Sequence, residues 1–290
     1  MICAEAKAAE VDAAIGVFDS GVGGLTVLNA LREALPNENL VYLGDTARVP
    51  YGTKSAVSVM RYAEQAVSAL QARHIKAIVI ACNTASAMAL EHLQACYPML
   101  PVLGVIEPGA IAACKATRRK HIGVIATEST TNNQAYQKAI LGLMPEARVQ
   151  AQACSLFVAL AEEGWHEGTL VEQIIAKCLS PMLERHSPEE QLDTLVLGCT
   201  HFPTLSQAIA RVVGKEVQLV DSAATTAAAV KERLAAAALL NPQKTSGQLS
   251  FLVTDGPDRF VRVANNFFNE EIAAASVELV DIQHHSSVVK

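Results

Sequence analysis

Residues 76–86 read KAIVIACNTAS, and residues 192–202 read LDTLVLGCTHF. Each is a short run of branched apolar residues that ends on a small residue, a cysteine and then small polar side chains suited to starting a helix. Apolar runs without polar alternation fit strands covered on both faces, as in parallel sheets flanked by helices. These two stretches therefore decide for an α/β fold, and their likeness raises the question of whether the whole chain is doubled.

Working outward, three further pairs appear in the same order. IGVFDSG from residue 15 answers IGVIATE from 122, NLVYLGDT answers RVQAQACS, and PVLGVIEPGAIAA answers VQLVDSAATTAAA. The offset is 107 residues at the first pair, 117 at the cysteines and 116 at the last. Ala-rich helical stretches separate most of the strands, which is a βαβα pattern. The chain thus reads as two pseudo-symmetric, doubly wound α/β domains with mainly parallel sheets and an active site in the cleft between them. The first half spans 14–110 and is completed by 222–290; the second spans 111–221; residues 1–13 form an N-terminal extension.

Composition agrees with this class. The chain has 290 residues, enough for two domains, and is 51% hydrophobic but only 4% aromatic, so its core is aliphatic. A net charge of −6 and the lack of a long basic block argue against nucleic acid. The start MICAEAKAAEVDAA lacks the basic and apolar regions of a signal peptide, and no segment is apolar for long enough to span a bilayer, so a cytoplasmic location without membrane contact is expected. The seven cysteines (3, 82, 96, 114, 154, 178 and 199) form an odd set without C-x-x-C, which disfavours a disulfide framework, a redox couple and a structural zinc cluster. The histidines, His92 among them, show no metal-ligand spacing, and Cys96, Cys114, Cys154 and Cys178 take the plain reading of small apolar side chains.

Cys82 and Cys199 are different, because functional groups in open parallel sheets gather at the carboxyl ends of strands. A thiol between a strand end and a helix start faces unpaired N–H groups that favour its anion. Two such thiols on opposite walls of a cleft suit the inversion of a stereocentre, where one base removes a proton and the conjugate acid of the other delivers one. Asp19 and Ser20 lie at another strand end, before glycines whose N–H groups can approach an anion. Asp19 can assist Cys82, and His201, two residues past Cys199, can activate that thiol. Asn83, Thr84 and Thr200 follow the cysteines as candidate donors, although caps of this kind are common. Glu162 and Glu163 read as a solvated helix end that could border the cleft, and VPYG at 49–52 as a turn.

Together FDSGVGG at 18–24, DTARVPYG at 45–52, ACNTAS at 81–86, LGCTHFP at 197–203, VDS at 220–222 and FLVTDGPDRF at 251–260 resemble the cofactor-independent glutamate racemases of the aspartate/glutamate racemase superfamily. The resemblance runs from about residue 14 to about 282. It implies interconversion of L- and D-glutamate without a cofactor or metal, supply of D-glutamate for peptidoglycan, and a homodimer. It also implies Cys82 and Cys199 as opposed acid and base, substrate contacts at Asp19, Ser20, Tyr51, Gly52, Asn83, Thr84, Thr200 and His201, and Glu162 as an assisting residue. One departure is ACSLFVALAEEG at 153–164, where the usual family form has prolines after the cysteine and before the acidic pair.

Overall fold

The branched runs form the strands of two parallel sheets. The structure is a computed structural model that describes residues 11–183 and 191–283. Most of the N-terminal extension, Cys3, His186, His284 and His285 lie outside the described residues. The first sheet holds β1 (Ala14–Asp19), β2 (Leu40–Gly44), β3 (Ile75–Ile80) and β4 (Val102–Gly104), joined late in the chain by β9 (Leu249–Val253) and β10 (Val277–Leu279). The second holds β5 (His121–Ala126), β6 (Arg148–Ala153), β7 (Thr194–Gly198) and β8 (Gln218–Asp221).

The spatial orders are β10-β9-β2-β1-β3-β4 and β6-β5-β7-β8. Stripped of β9 and β10, both read second, first, third, fourth, so each sheet reverses its winding between its first and third strands. That reversal opens a crevice at the carboxyl ends. The registers match as well. Phe18 pairs with Ile80 in the first sheet and Ile125 with Leu197 in the second, which puts Cys82 and Cys199 at the same place, two residues past the paired position. At the fourth pair Ile78 lies opposite Val102 and Leu195 opposite Leu219, an offset of 117 rather than the 116 of the quoted stretches.

Helices cover both faces of both sheets: α1 (Leu25–Ala34), α2 (Ala56–Gln71), α3 (Asn83–Cys96), α4 (Ile106–Ala116), α5 (Glu128–Asn133), α6 (Ala135–Leu143), α7 (Leu156–Glu162), α8 (Thr169–Leu183), α9 (Ser206–Val213), α10 (Ser222–Ala236) and α11 (Pro257–Ala264). Alternate residues of a strand feed opposite cores. Ile15, Val17 and Val79 meet α1, α10 and α11, whereas Phe18, Ile78 and Ile80 meet α2 and α3. In the second sheet Leu195 and Leu197 face α7, α8 and α9, and Val124 and Val196 face α4 and α6.

Two helices cross between the halves. α4 leaves β4 of the first sheet, yet Ile106, Ala110 and Ala113 pack into the core on the second, and the 110/111 boundary expected from sequence falls inside it. α10 leaves β8 of the second sheet and packs Ala223, Ala227, Val230 and Leu234 onto the first. The two helices also touch each other, so the halves are linked by a reciprocal exchange. Among the described residues no helix is long and apolar enough to cross a membrane.

Candidate active site

Cys82 is the N-cap of α3, and its Sγ accepts a hydrogen bond from the Ala85 N–H at 3.4 Å. The helix terminus favours a thiolate there, as the sequence suggests. Burial works against it, and the carboxylate of Asp19 adds to burial; together they push the Cys82 thiol up to about 12 against the help of Ala85 and Ser20. Burial and Asp19 thus outweigh the helix terminus and hold Cys82 as the neutral thiol at neutral pH.

Cys199 departs from the expected helix-start geometry. The chain after β7 makes a single 3-10 turn at Phe202–Leu205, and α9 begins only at Ser206. The group that faces Cys199 is instead His201, whose Nδ1 lies 3.8 Å from Sγ. His201 Nε2 is 3.3 Å from Glu162 Oε1, and the other oxygen of Glu162 accepts from Arg259 at 3.0 Å. Burial pulls the imidazole down, but the bonds to Cys199 and Glu162, with the charges of Cys199 and Asp19, outweigh it and hold His201 at about 10. The His201 bond, outweighing burial, keeps the Glu162 carboxylate below its ordinary range. Behind Cys199, the His201 cation, the Glu162 carboxylate and the Arg259 guanidinium thus alternate in charge from the cavity outward.

Asp19 has no exposed surface. Its Oδ2 accepts from the Gly21 N–H at 2.8 Å, while Oδ1 has no hydrogen-bond partner. Burial raises its carboxyl above the usual range, with His201 and the neighbouring N–H groups pulling the other way. The glycine-rich turn expected to receive an anion thus already serves one, the carboxylate of Asp19 itself. Gly23 is needed for a different reason. A Cβ there would collide with His201 Nδ1 and Thr200 Oγ1, so its lack of a side chain lets the second half close onto the first. Gly52 is similar, since a Cβ would come within 2.7 Å of the Thr127 Cβ.

These groups border one cavity of about 400 Å³, lined from both halves by Cys82 and Cys199. Ser20, Tyr51, Gly52, Asn83, Thr84, Thr200, His201 and Glu162 all line it as well, with Asp19 buried behind the wall. Their atoms are not equally available. The Tyr51 hydroxyl donates to the buried Asp45, which also accepts from Arg48 at 2.7 Å and Thr254 at 2.9 Å, so Tyr51 offers the cavity its ring and backbone. Asn83 accepts from the Tyr136 hydroxyl at 2.7 Å, while its buried Nδ2 has no partner. Thr84 bonds to Thr127 at 2.9 Å and Thr130 at 3.1 Å, tying α3 to the second half. Glu162 ends α7 as expected, but it is drawn inward by His201, Arg259 and Asn266 rather than solvated.

Sequence reasoning missed Thr127, Ser155 and Arg259, which also line the cavity. Thr127 was detectable, because in the first repeat pair it stands where Ser20 stands. Arg259 gave no such signal: its place depends on α11 returning from the far end of the chain.

Comparison with known proteins agrees with this geometry. Residues 15–230 match the family model described as Asp/Glu/Hydantoin racemase. The chain is 50% identical over 259 residues to a glutamate racemase from Geobacter metallireducens, covering 89% of this chain and 94% of that protein. It is 44% identical over 268 residues to one from Neisseria meningitidis, covering 92% and 96%. A glutamate racemase structure from Bacillus anthracis superposes with a TM-score of 0.87 at 35% identity, covering 94% of this chain and 98% of that one. One from Francisella tularensis, in complex with D-glutamate, superposes with a TM-score of 0.86 at 36% identity, covering 94% and 99%. By sequence, by fold and by the paired cysteines at matched strand ends, the chain belongs to the Asp/Glu/Hydantoin racemase family.

Proposed function

We propose that the chain interconverts L- and D-glutamate by proton transfer at Cα between Cys82 and Cys199, without an organic cofactor or a metal. The observation that carries this reading is the pair of thiols at pseudo-equivalent strand ends lining one cavity. Cys82, held neutral by burial and by Asp19, is the resting acid. Cys199, beside the imidazolium of His201, is the resting base. After one turnover the proton has moved from one wall to the other, and the reverse reaction restores it.

An amino-acid Cα–H is far less acidic than a thiol, so the carbanion needs preorganised donors at the substrate carboxylate and exclusion of water. The unpartnered Nδ2 of Asn83 is one such donor. Ser20, Thr84 and Thr200, which also line the cavity, supply further polar contacts. Asp19 acts on Cys82 through its charge, and Glu162 holds the His201 ring toward Cys199. The relatives named above support glutamate as the substrate. The same reading carries a role in supplying D-glutamate for peptidoglycan in the cytoplasm, and a homodimer that sedimentation equilibrium tests.

The experiment is to incubate dialysed, chelator-treated protein with L-glutamate and, separately, with L-aspartate, and to follow optical rotation. Inversion of glutamate alone is expected. Inversion of aspartate but not glutamate overturns the substrate, and inversion of neither overturns the racemase reading.

A further inference from the structure

We propose that Glu64, His92 and Cys96 form a binding site for a zinc-class divalent transition metal on the outer surface of the α2–α3 pair, separate from the cavity. His92 and Cys96 are four residues apart on the last turns of α3 and so share a face, and Glu64 reaches them from α2. Their ligating atoms all lie within 4.8 Å of one another.

The convergence point identifies the chemistry. In a thiol–imidazole–carboxylate relay the thiol and the carboxylate use opposite ring nitrogens. Here Cys96 Sγ lies 3.6 Å from His92 Nε2, and Glu64 Oε1 contacts that same nitrogen. One proton can bridge only one of these pairs, whereas a cation at the shared point is bonded by all three. Tetrahedral zinc with Zn–N, Zn–O and Zn–S bonds of about 2.0–2.3 Å sets ligand edges of about 3.3–3.6 Å. The Sγ–Nε2 separation matches such an edge, whereas the Glu64–His92 contact is shorter than one, so the Glu64 side chain must move back by about 1 Å to admit the ion.

Thiolate with imidazole selects zinc, cobalt or copper over magnesium or calcium, whose preferred donors are all oxygen. The His92 side chain is 40% exposed and Cys96 is exposed, so the ion has an entry path and its fourth position is open to water. The site stands at the far end of α3 from Cys82, about 20 Å away at 1.5 Å per residue, so it takes no part in proton transfer. Bound metal clamps α2 to α3 and stabilises the folded chain.

Titration of the reduced, metal-free full chain with Co²⁺ tests this by absorption. The expected result is one-to-one saturation with a near-ultraviolet thiolate-to-cobalt band and visible bands of a tetrahedral centre. Cys96→Ser should lose the thiolate band. His92→Ala and Glu64→Gln should each weaken Co²⁺ binding by at least about tenfold. The Cys82→Ala/Cys199→Ala double variant should keep the spectrum. A thiolate band that survives in Cys96→Ser, a band lost only in the double variant, or the lack of saturable binding overturns the site. Circular dichroism confirms that each variant is folded.

Discussion

The Cys82 and Cys199 walls start from the same strand position and end in different chemistry. Cys82 caps α3, is backed by a buried carboxylate and keeps its proton up to about 12. Cys199 has no α-helix at its back and depends on His201, which stays protonated up to about 10 through Cys199 and Glu162. The repeat thus supplies two equal thiols, and the local residues make one wall anionic and the other cationic. What differs between them is the sign of the nearest charge, and on the proposed mechanism that sign assigns Cys82 as the resting acid and Cys199 as the resting base.

The largest effect should come from the thiols themselves. Cys82→Ala and Cys199→Ala should each lower kcat in steady-state racemisation by at least about a thousandfold, the scale of a lost general acid or base. Cys114→Ala, remote from the cavity, should leave kcat unchanged; equal activity in all three removes the comparison altogether.

His201→Asn should cost about a hundredfold in kcat, since it removes the cation from one wall only, and Glu162→Gln about tenfold. Glu162→Gln also removes one of the partners that raise His201, so the alkaline limb of kcat/KM should move to lower pH. An unchanged limb would mean that His201 does not set it.

Asp19→Asn should sharpen the other side. It removes the carboxylate that pushes Cys82 up, so the pH profile of Cys82 alkylation by iodoacetamide should fall below about 12, where Cys199→Ala leaves a single cavity thiol to follow. A profile that stays in place would leave burial as the whole cause.

Stability against pH gives the smallest and broadest test. The folded protein holds the His201 proton more tightly than the unfolded chain does, so this contribution is full below about pH 6.5 and is lost as pH rises toward about 10. Its size is on the order of a few kcal/mol for a fully buried group. Urea melts at pH 6.5, 8 and 9.5 should therefore show wild type losing stability more steeply than His201→Gln.

Much of the fold was legible because the repeat was written in the strands. KAIVIAC and LDTLVLGC carry branched residues on both faces, and only a doubly covered parallel strand accommodates that. Their matching registers placed both cysteines, and the short motifs beside them placed most of the cavity. What stayed hidden depends on contacts between distant segments. The crossing of α4 and α10 follows from how two half-cores share helices, which no local period records. Arg259 arrives on α11, which no repeat partner announces. The role of Gly23 became visible only with His201 and Thr200 set against it. The i, i+4 spacing of His92 and Cys96 was present in the sequence, but Glu64 comes from another helix, and without it the pair looked ordinary.

At the centre of the proposed mechanism, two single-proton thiols act on opposite faces of one carbon. Reaction of L-glutamate in heavy water, stopped at low conversion and followed by mass spectrometry of the separated enantiomers, tests it directly. The predicted product is D-glutamate carrying one deuterium at Cα, delivered by the opposite thiol, while the remaining L-glutamate keeps its original proton. D-glutamate that retains the substrate's own proton, the mark of one base serving both faces, would contradict it.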